Sequence, residues 1–170
     1  MASWAASMGL AALTKAKADP KLWLLFFTFS QMQLAEFFIW KDLNNPYFAA
    51  FGLFVILMEP VVSINLIKSK LMWVIYGAMV TWALMTTDVK FKSEVAPNGH
   101  LNWRWAEFDW KFWAVWLVGL LAPVYLAGYT YIGLTGTALM LMSIWLYGSQ
   151  GTMGSMWCWL SLITWGHLLA

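Results

Sequence analysis

Two glutamates within long apolar runs are the residues of this chain best placed to do chemistry. Glu36 belongs to the run LWLLFFTFSQMQLAEFFIW at positions 22–40, and Glu59 stands in a second apolar run directly before a proline. A carboxyl group in such a run is costly unless a protein interior or a wet cavity receives it, and intramembrane ionisable residues are by default candidates for function. The question for the rest of the chain is what each carboxyl group faces.

Polar residues accompany Glu36 at helical spacing. Ser30, Gln33 and Glu36 lie three residues apart, so a helix places them on one face. Gln31 lies about 100° away from Ser30 around the same helix. A polar stripe of this kind normally points into a bundle rather than towards lipid.

The second run repeats the pattern with a proline in it. Ser63 lies one turn after Glu59, and Pro60 leaves a backbone carbonyl one turn upstream without its usual helical partner. The carboxyl, the hydroxyl and this carbonyl predict a polar site near the middle of the membrane. The predicted polar path for protons or small ions consists of Ser30, Gln31, Gln33, Glu36, Glu59 and Ser63.

The depths of the two glutamates argue against a shared proton. With a rise of 1.5 Å per residue in antiparallel spans, Glu36 and Glu59 are offset by roughly 10 Å along the membrane normal. A hydrogen bond between Glu59 and a glutamine of the first span is therefore expected before a pair of glutamates. The alternative is purely structural, since a protonated glutamate bonded between helices is an ordinary packing device.

Composition places these residues in an all-α polytopic transmembrane bundle. The chain is 62% hydrophobic and only 11% charged, against about one quarter charged in soluble domains. With a net charge of only +2, no nucleic-acid partner is predicted. The apolar runs predict the lipid bilayer as the partner of this chain. Cys158 is the single cysteine, and His100 and His167 are isolated, so no metal site is expected.

About six spans are predicted, with five spans and a half-helix as the alternative because the linker at 148–155 could be re-entrant. Residues 1–20 are predicted to be an N-terminal segment at the membrane interface, with a short amphipathic helix over residues 2–17, and residues 21–170 are predicted to form the bundle. A short β-hairpin-like loop is predicted at 91–105, around the turn signal Asn98-Gly99. The predicted spans are 22–40, 47–67, 71–87, 112–131, 134–147 and 156–170.

The tryptophans divide into two predicted groups. The first group lies near span ends, as in an interfacial aromatic belt. The second group lies deeper and could line a pocket for a bound lipid or pigment, the candidate cofactors. The belt group is Trp23, Trp40, Trp73, Trp110, Trp113 and Trp157, and the deep group is Trp82, Trp116 and Trp145.

Four segments together resemble a family of small multi-pass membrane proteins of algae, other protists and large DNA viruses, which has no established activity. They are FSQMQLAEFFIW (29–40), Glu59-Pro60, NGHLNWRW (98–105) and GSMWCWLSLI (154–163). The resemblance covers most of the chain and implies a six-helix bundle. It also implies that Glu36, 98–100 and 157–159 matter to the fold or to a site. This chain departs from the family pattern at Glu59, where that pattern has glutamine.

The sequence therefore predicts a channel- or transporter-like membrane protein with a polar intramembrane path. The alternative is a non-catalytic accessory subunit of a photosynthetic, respiratory or viral membrane complex. Either role predicts a homo-oligomer or partner membrane subunits. No nucleophile–base pair, phosphate-binding loop or metal triad is visible in the sequence, so no catalytic residue is assigned and an enzyme is not expected.

Overall fold

Apolar helices form nearly all of the ordered structure in the computed structural model, which describes residues 2–160, 163, 165 and 166. A two-stranded sheet, β1 (Glu94–Val95) with β2 (Leu101–Asn102), lies between the fourth and fifth helices. The predicted all-α bundle is thereby confirmed. The helices are α1 (Ala2–Thr14), α2 (Pro20–Lys41), α3 (Pro46–Ile64), α4 (Lys70–Thr86), α5 (Trp110–Leu126), α6 (Thr130–Tyr147) and α7 (Met153–Leu160).

Three helical stretches are long and apolar enough to cross a membrane. They are Pro20–Lys41, Pro46–Ile64 and Thr130–Gln150, the last being α6 with the turn that follows it. Helices α4 and α5 are apolar but shorter, with 17 residues each. By length and composition, the described helices are compatible with a membrane protein, while the count of six spans stays a prediction. The predicted sixth span continues beyond α7 into positions that lie largely outside the described residues.

Polar caps set where the helices begin. The Asp19 carboxylate accepts hydrogen bonds from backbone amides in the first turn of α2, and Asn45 and Asp109 do the same for α3 and α5. Helix α5 ends earlier than the predicted 131, because the chain turns at Gly128 with φ of +89° and α6 begins at Thr130. A left-handed glycine just after a helix is a common stop signal.

Helix α3 is the centre of the bundle. It packs along α2 on one side and along α5 on the other, with α4 making a smaller contact. Helix α7 packs against α2 and α6, and α1 runs back along α2. The indole N–H of Trp23 donates to the carbonyl of Ala11 over 2.8 Å, which joins α1 to α2. The interfacial position of α1 stays a prediction.

The predicted hairpin at 91–105 is confirmed. Glu94 pairs with Asn102 across the antiparallel ladder, and the chain reverses through Gly99 with φ of +77°. Beyond β2, Trp103 and Trp105 stack with ring centroids 5.2 Å apart. Both rings are buried, so the hairpin is anchored on one end of the bundle.

Candidate functional site

Helices α3 and α5 exchange hydrogen bonds around Pro60. The carbonyl of Ile56, four residues before Pro60, is the one that the proline leaves without a helical donor. The indole N–H of Trp116 supplies that donor over 2.8 Å. In the opposite direction, the Ser63 hydroxyl donates to the carbonyl of Leu120 over 2.6 Å. Ser63 therefore links α3 to α5 through a hydrogen bond.

A glycine allows this close crossing. A Cβ atom at Gly119 would lie 3.2 Å from Cβ of Pro60, closer than most side-chain contacts. The absence of a side chain lets the backbone of α5 approach the proline ring of α3. The crossing fixes the position of the residues beside it, including Glu59, which directly precedes Pro60.

Glu59 is buried beside this crossing. Its side chain is 1% exposed, and its Oε1 atom has no hydrogen-bond partner among the described residues. Tyr76 of α4 lies within electrostatic range, but its hydroxyl donates to the carbonyl of Leu57 over 2.8 Å. A buried carboxyl oxygen without a donor is rare in proteins and calls for an explanation.

The expected hydrogen bond between Glu59 and a glutamine of the first span does not form in the described part of the chain. Gln33 donates to the carbonyl of Cys158 in α7 over 3.3 Å, and the Ser7 hydroxyl of α1 reaches its Oε1 over 3.4 Å. Gln31 donates to the carbonyl of Phe27, one turn back in its own helix. Depth along the helix did not specify that α1 and α7 cover this face of α2.

Ser30 also binds its own helix. Its hydroxyl donates to the carbonyl of Phe26 over 2.9 Å. Glu36 is buried two turns further along, with the Ser155 hydroxyl and the Trp103 indole as its polar neighbours. Neither neighbour reaches good hydrogen-bond geometry with Oε1 of Glu36, so this oxygen too lacks a partner among the described residues.

Helix α7 brings the two glutamates into one neighbourhood. The Cys158 side chain is buried and interacts electrostatically with both Glu59 and Glu36. One turn earlier, Ser155 faces Glu36. The two carboxyl groups therefore have Cys158 of α7 as a shared neighbour.

A cavity of about 330 Å³ opens beside Glu59. It lies between the hairpin and helices α3, α5, α6 and α7. Arg104 and Glu107 lie at its solvent-exposed end, whereas Glu59 is at its buried end. Its aromatic lining consists of Trp103, Trp113, Trp116 and Trp157.

Only one of the three tryptophans predicted to line a pocket does so. Trp116 is 2% exposed and lines the cavity, whereas Trp82 and Trp145 are 41% and 83% exposed on the outside of the bundle. Trp113 and Trp157, assigned from the sequence to an interfacial belt, line the cavity instead. The sequence could have placed Trp113 at the cavity, since Trp113 and Trp116 are three residues apart on one helix face.

Buried polar atoms without partners concentrate around this region. Seven such side-chain atoms occur among the described residues, and four of them lie in α7 or beside it. Buried polar groups normally have hydrogen-bond partners. A concentration of buried polar atoms without partners therefore marks a candidate binding site. The four atoms are Oε1 of Glu36, Oε1 of Glu59, Nε1 of Trp103 and Nε1 of Trp157.

The histidines contribute nothing to this site within the described residues. His100 lies in the hairpin with its ring facing Tyr147, the centroids 6.1 Å apart. His167 lies outside the described residues. In the described part of the chain, no group of three histidine, cysteine or carboxylate side chains has the arrangement of a metal site.

No family model, curated protein or solved structure matches this chain. The geometry of the cavity and of its buried carboxyl group therefore carries the functional argument.

Proposed function

We propose that this protein is a multi-pass integral membrane protein of the transporter-like class, in which a small solute enters the tryptophan-lined cavity and reaches Glu59. One observation carries the proposal: a cavity of about 330 Å³ is lined by exposed residues of the hairpin region and by the buried Glu59, whose Oε1 has no hydrogen-bond partner among the described residues. Cavities of this size are typical of small-molecule sites. Ionisable residues of membrane bundles commonly mark the route of a solute or proton.

The hydrogen bonds favour the cavity over the α2 stripe as the solute path. The Ser30 and Gln31 side chains donate to carbonyls of their own helix, and Ser63 donates across to α5. Gln33 holds α7 and meets α1. These four groups act as packing contacts, which leaves Glu36 and Glu59 of the predicted path. Of these two, Glu59 is in the described lining of the cavity and Glu36 is not.

Flux through reconstituted protein tests this function. Purified protein is incorporated into proteoliposomes, and the electrogenic flux of protons, potassium and choline is measured one at a time. We expect at least one of the three to move faster than in protein-free vesicles. Glu59→Gln is expected to remove that flux, because it removes the only carboxyl group at the buried end of the described lining.

Asp88→Asn is the matched control, since Asp88 is an exposed carboxylate of the segment that precedes the hairpin and does not line the cavity. It should leave the flux unchanged. Equal flux in wild-type and Glu59→Gln protein would remove Glu59 from the path. Loss of flux in Glu36→Gln alone would move the path to the α2 face.

An accessory role in a larger membrane assembly is the second candidate, and the outer surface of α4 favours it. Only Tyr76 and Ala83 of this helix are buried, while large apolar side chains such as Val74 and Met85 are exposed. Such a face fits either lipid or a partner subunit. The mass of the native particle in mild detergent decides: co-purification with other chains supports the accessory role, and a homogeneous particle of this chain alone opposes it.

A further inference from the structure

We infer that the tryptophan-lined cavity binds an organic ammonium cation, with the charged nitrogen near Glu59 and its alkyl groups against the indole rings. The inference rests on the proposed function, because it names the class of solute for the same cavity.

No basic side chain lies beside Glu59 at the buried end of the described cavity lining. Arg104 is the only basic residue in the described lining, and it lies at the exposed end. Its guanidinium group is already paired with Glu94, at 3.3 Å, and with Glu107. No cation of the described chain therefore faces Glu59. A buried carboxylate is stable only when a cation or hydrogen-bond donors compensate it, and a ligand cation would provide that compensation.

The walls suit a cation that is poorly hydrated. Four tryptophan rings line the cavity, and tryptophan is the side chain that attracts cations most strongly through the face of its ring. The rings of Trp116 and Trp157 meet edge to face, with centroids 5.6 Å apart, so they form a corner rather than a flat wall. Clusters of aromatic rings are a recurrent way to bind alkylammonium groups.

A metal ion fits these walls less well. Hard cations such as Ca²⁺ and Mg²⁺ require several oxygen ligands. The nearby carbonyl of Ile56 is already bonded to Trp116, and indole rings offer no oxygen. Within the described residues no set of three ligating side chains surrounds the cavity.

Size sets the class of ammonium ion. At about 30 Å³ for each non-hydrogen atom, taken from the volume of liquid water, 330 Å³ accommodates on the order of ten such atoms. Choline and tetramethylammonium are within that limit. The same chemistry occurs in the headgroup of a choline lipid, so the test must separate the free cation from the lipid.

Calorimetric titration of the purified protein in a sugar-based detergent tests the inference. Choline and tetramethylammonium are the probes, and dimethylbutanol, the uncharged carbon isostere of choline, is the matched ligand. We expect both cations to bind and the isostere to bind about tenfold more weakly or not at all, since it lacks the charge. Equal affinity for choline and its isostere, or no binding of either cation, would overturn the inference.

Paired variants locate the binding. Glu59→Gln and Trp113→Leu should each weaken choline binding about tenfold. Their controls, Asp88→Asn and Trp110→Leu, change residues outside the cavity, and Trp110 is an exposed tryptophan one turn from Trp113. Both controls should bind choline as the wild type does. If all four variants bind equally well, the cation binds elsewhere and the inference is wrong. Thermal unfolding of each variant shows that it is folded, and Trp113→Leu keeps the test open if Glu59→Gln does not fold.

Two lipid environments identify the source of the cation. In nanodiscs of phosphatidylglycerol, free choline should bind as it does in detergent. If the natural occupant is a lipid headgroup, nanodiscs of phosphatidylcholine will compete and raise the apparent dissociation constant of choline about tenfold or more. If it is a soluble cation, the two nanodiscs will give the same constant. Both results support an ammonium site and assign its source.

Failure of this inference and failure of the transport proposal give different results. Choline binding without any flux in proteoliposomes retains the ammonium site and removes transport. Flux of protons or potassium without choline binding retains transport and removes the ammonium class. The equilibrium titration requires no transport, so the two measurements are independent.

Discussion

Trp116 of α5 donates its indole N–H to the carbonyl of Ile56 in α3 over 2.8 Å. This carbonyl is the one that Pro60 deprives of its helical partner. A proline within an apolar helix therefore has its missing hydrogen bond replaced by a neighbouring helix. The same tryptophan lines the cavity at whose buried end Glu59 lies, so helix packing and the candidate site share one side chain.

Replacing this tryptophan should destabilise the protein. In Trp116→Phe the carbonyl of Ile56 loses its donor, and an unsatisfied buried acceptor costs about 1–3 kcal/mol. We expect the free energy of unfolding in mixed micelles to fall by that amount. A double-mutant cycle with Pro60→Ala provides the control, because alanine restores a backbone N–H for the same carbonyl. Trp116→Phe should then cost less in the alanine background; strictly additive effects would contradict this account.

Two glycines leave space for the stacked tryptophan rings that follow the hairpin. A Cβ atom would lie 2.8 Å from the Trp105 ring at Gly52 and 2.6 Å from the Trp103 ring at Gly154. Gly52→Ala and Gly154→Ala should each lower the free energy of unfolding by about 1–3 kcal/mol, as overpacking does. Gly77→Ala is the control, since no atom lies within 4 Å of a Cβ there. The prediction fails if all three variants have the same unfolding temperature.

The two glutamines of α2 should respond differently to the same change. Gln33 joins α2 to α7 and meets Ser7 of α1, whereas Gln31 donates to its own helix. We expect Gln33→Leu to reduce stability by about 1 kcal/mol and Gln31→Leu to have little effect. Chemical denaturation in mixed micelles compares them. A larger loss for Gln31→Leu would mean that α1 and α7 do not cover α2 as described.

Asp19 should make stability depend on pH only in the acidic range. The backbone amides of Leu22 and then Lys21 donate to its carboxylate, and the Tyr129 hydroxyl adds a hydrogen bond, so the pKa of Asp19 lies below its usual value of 3.8. A lowered pKa in the folded state stabilises the fold above the unfolded-state pKa, and this contribution disappears as pH falls through the folded-state value.

Asp19→Asn isolates that charge because asparagine can also cap the helix. The difference in unfolding temperature between the wild type and Asp19→Asn should stay constant from about pH 7 to pH 5 and should close below about pH 4. Thermal scans at several pH values measure it. A difference that already closes near neutral pH would assign the effect to another group.

Several local features could be predicted because they depend on neighbouring residues. Asn98-Gly99 predicted the hairpin, since glycine adopts the positive φ of its turn. Pro60 predicted the freed carbonyl of α3, because the loss of the backbone N–H is a property of proline itself. The predicted end of the fourth span at 131 was wrong, because the left-handed Gly128 ends α5 before that position.

By itself, the sequence determined the all-α class of the fold, the positions of most helices and the two glutamates within apolar runs. Only the tertiary structure decided which helices meet. It packs α7 against α2, and it brings Trp116 to the free carbonyl of Ile56 in α3. It also turns Trp113 and Trp157 towards a cavity rather than the outside. The physical reason is that these helices are apolar around most of their circumference. Helical periodicity groups residues on a face, but in such helices it does not specify which face meets a neighbour and which meets lipid.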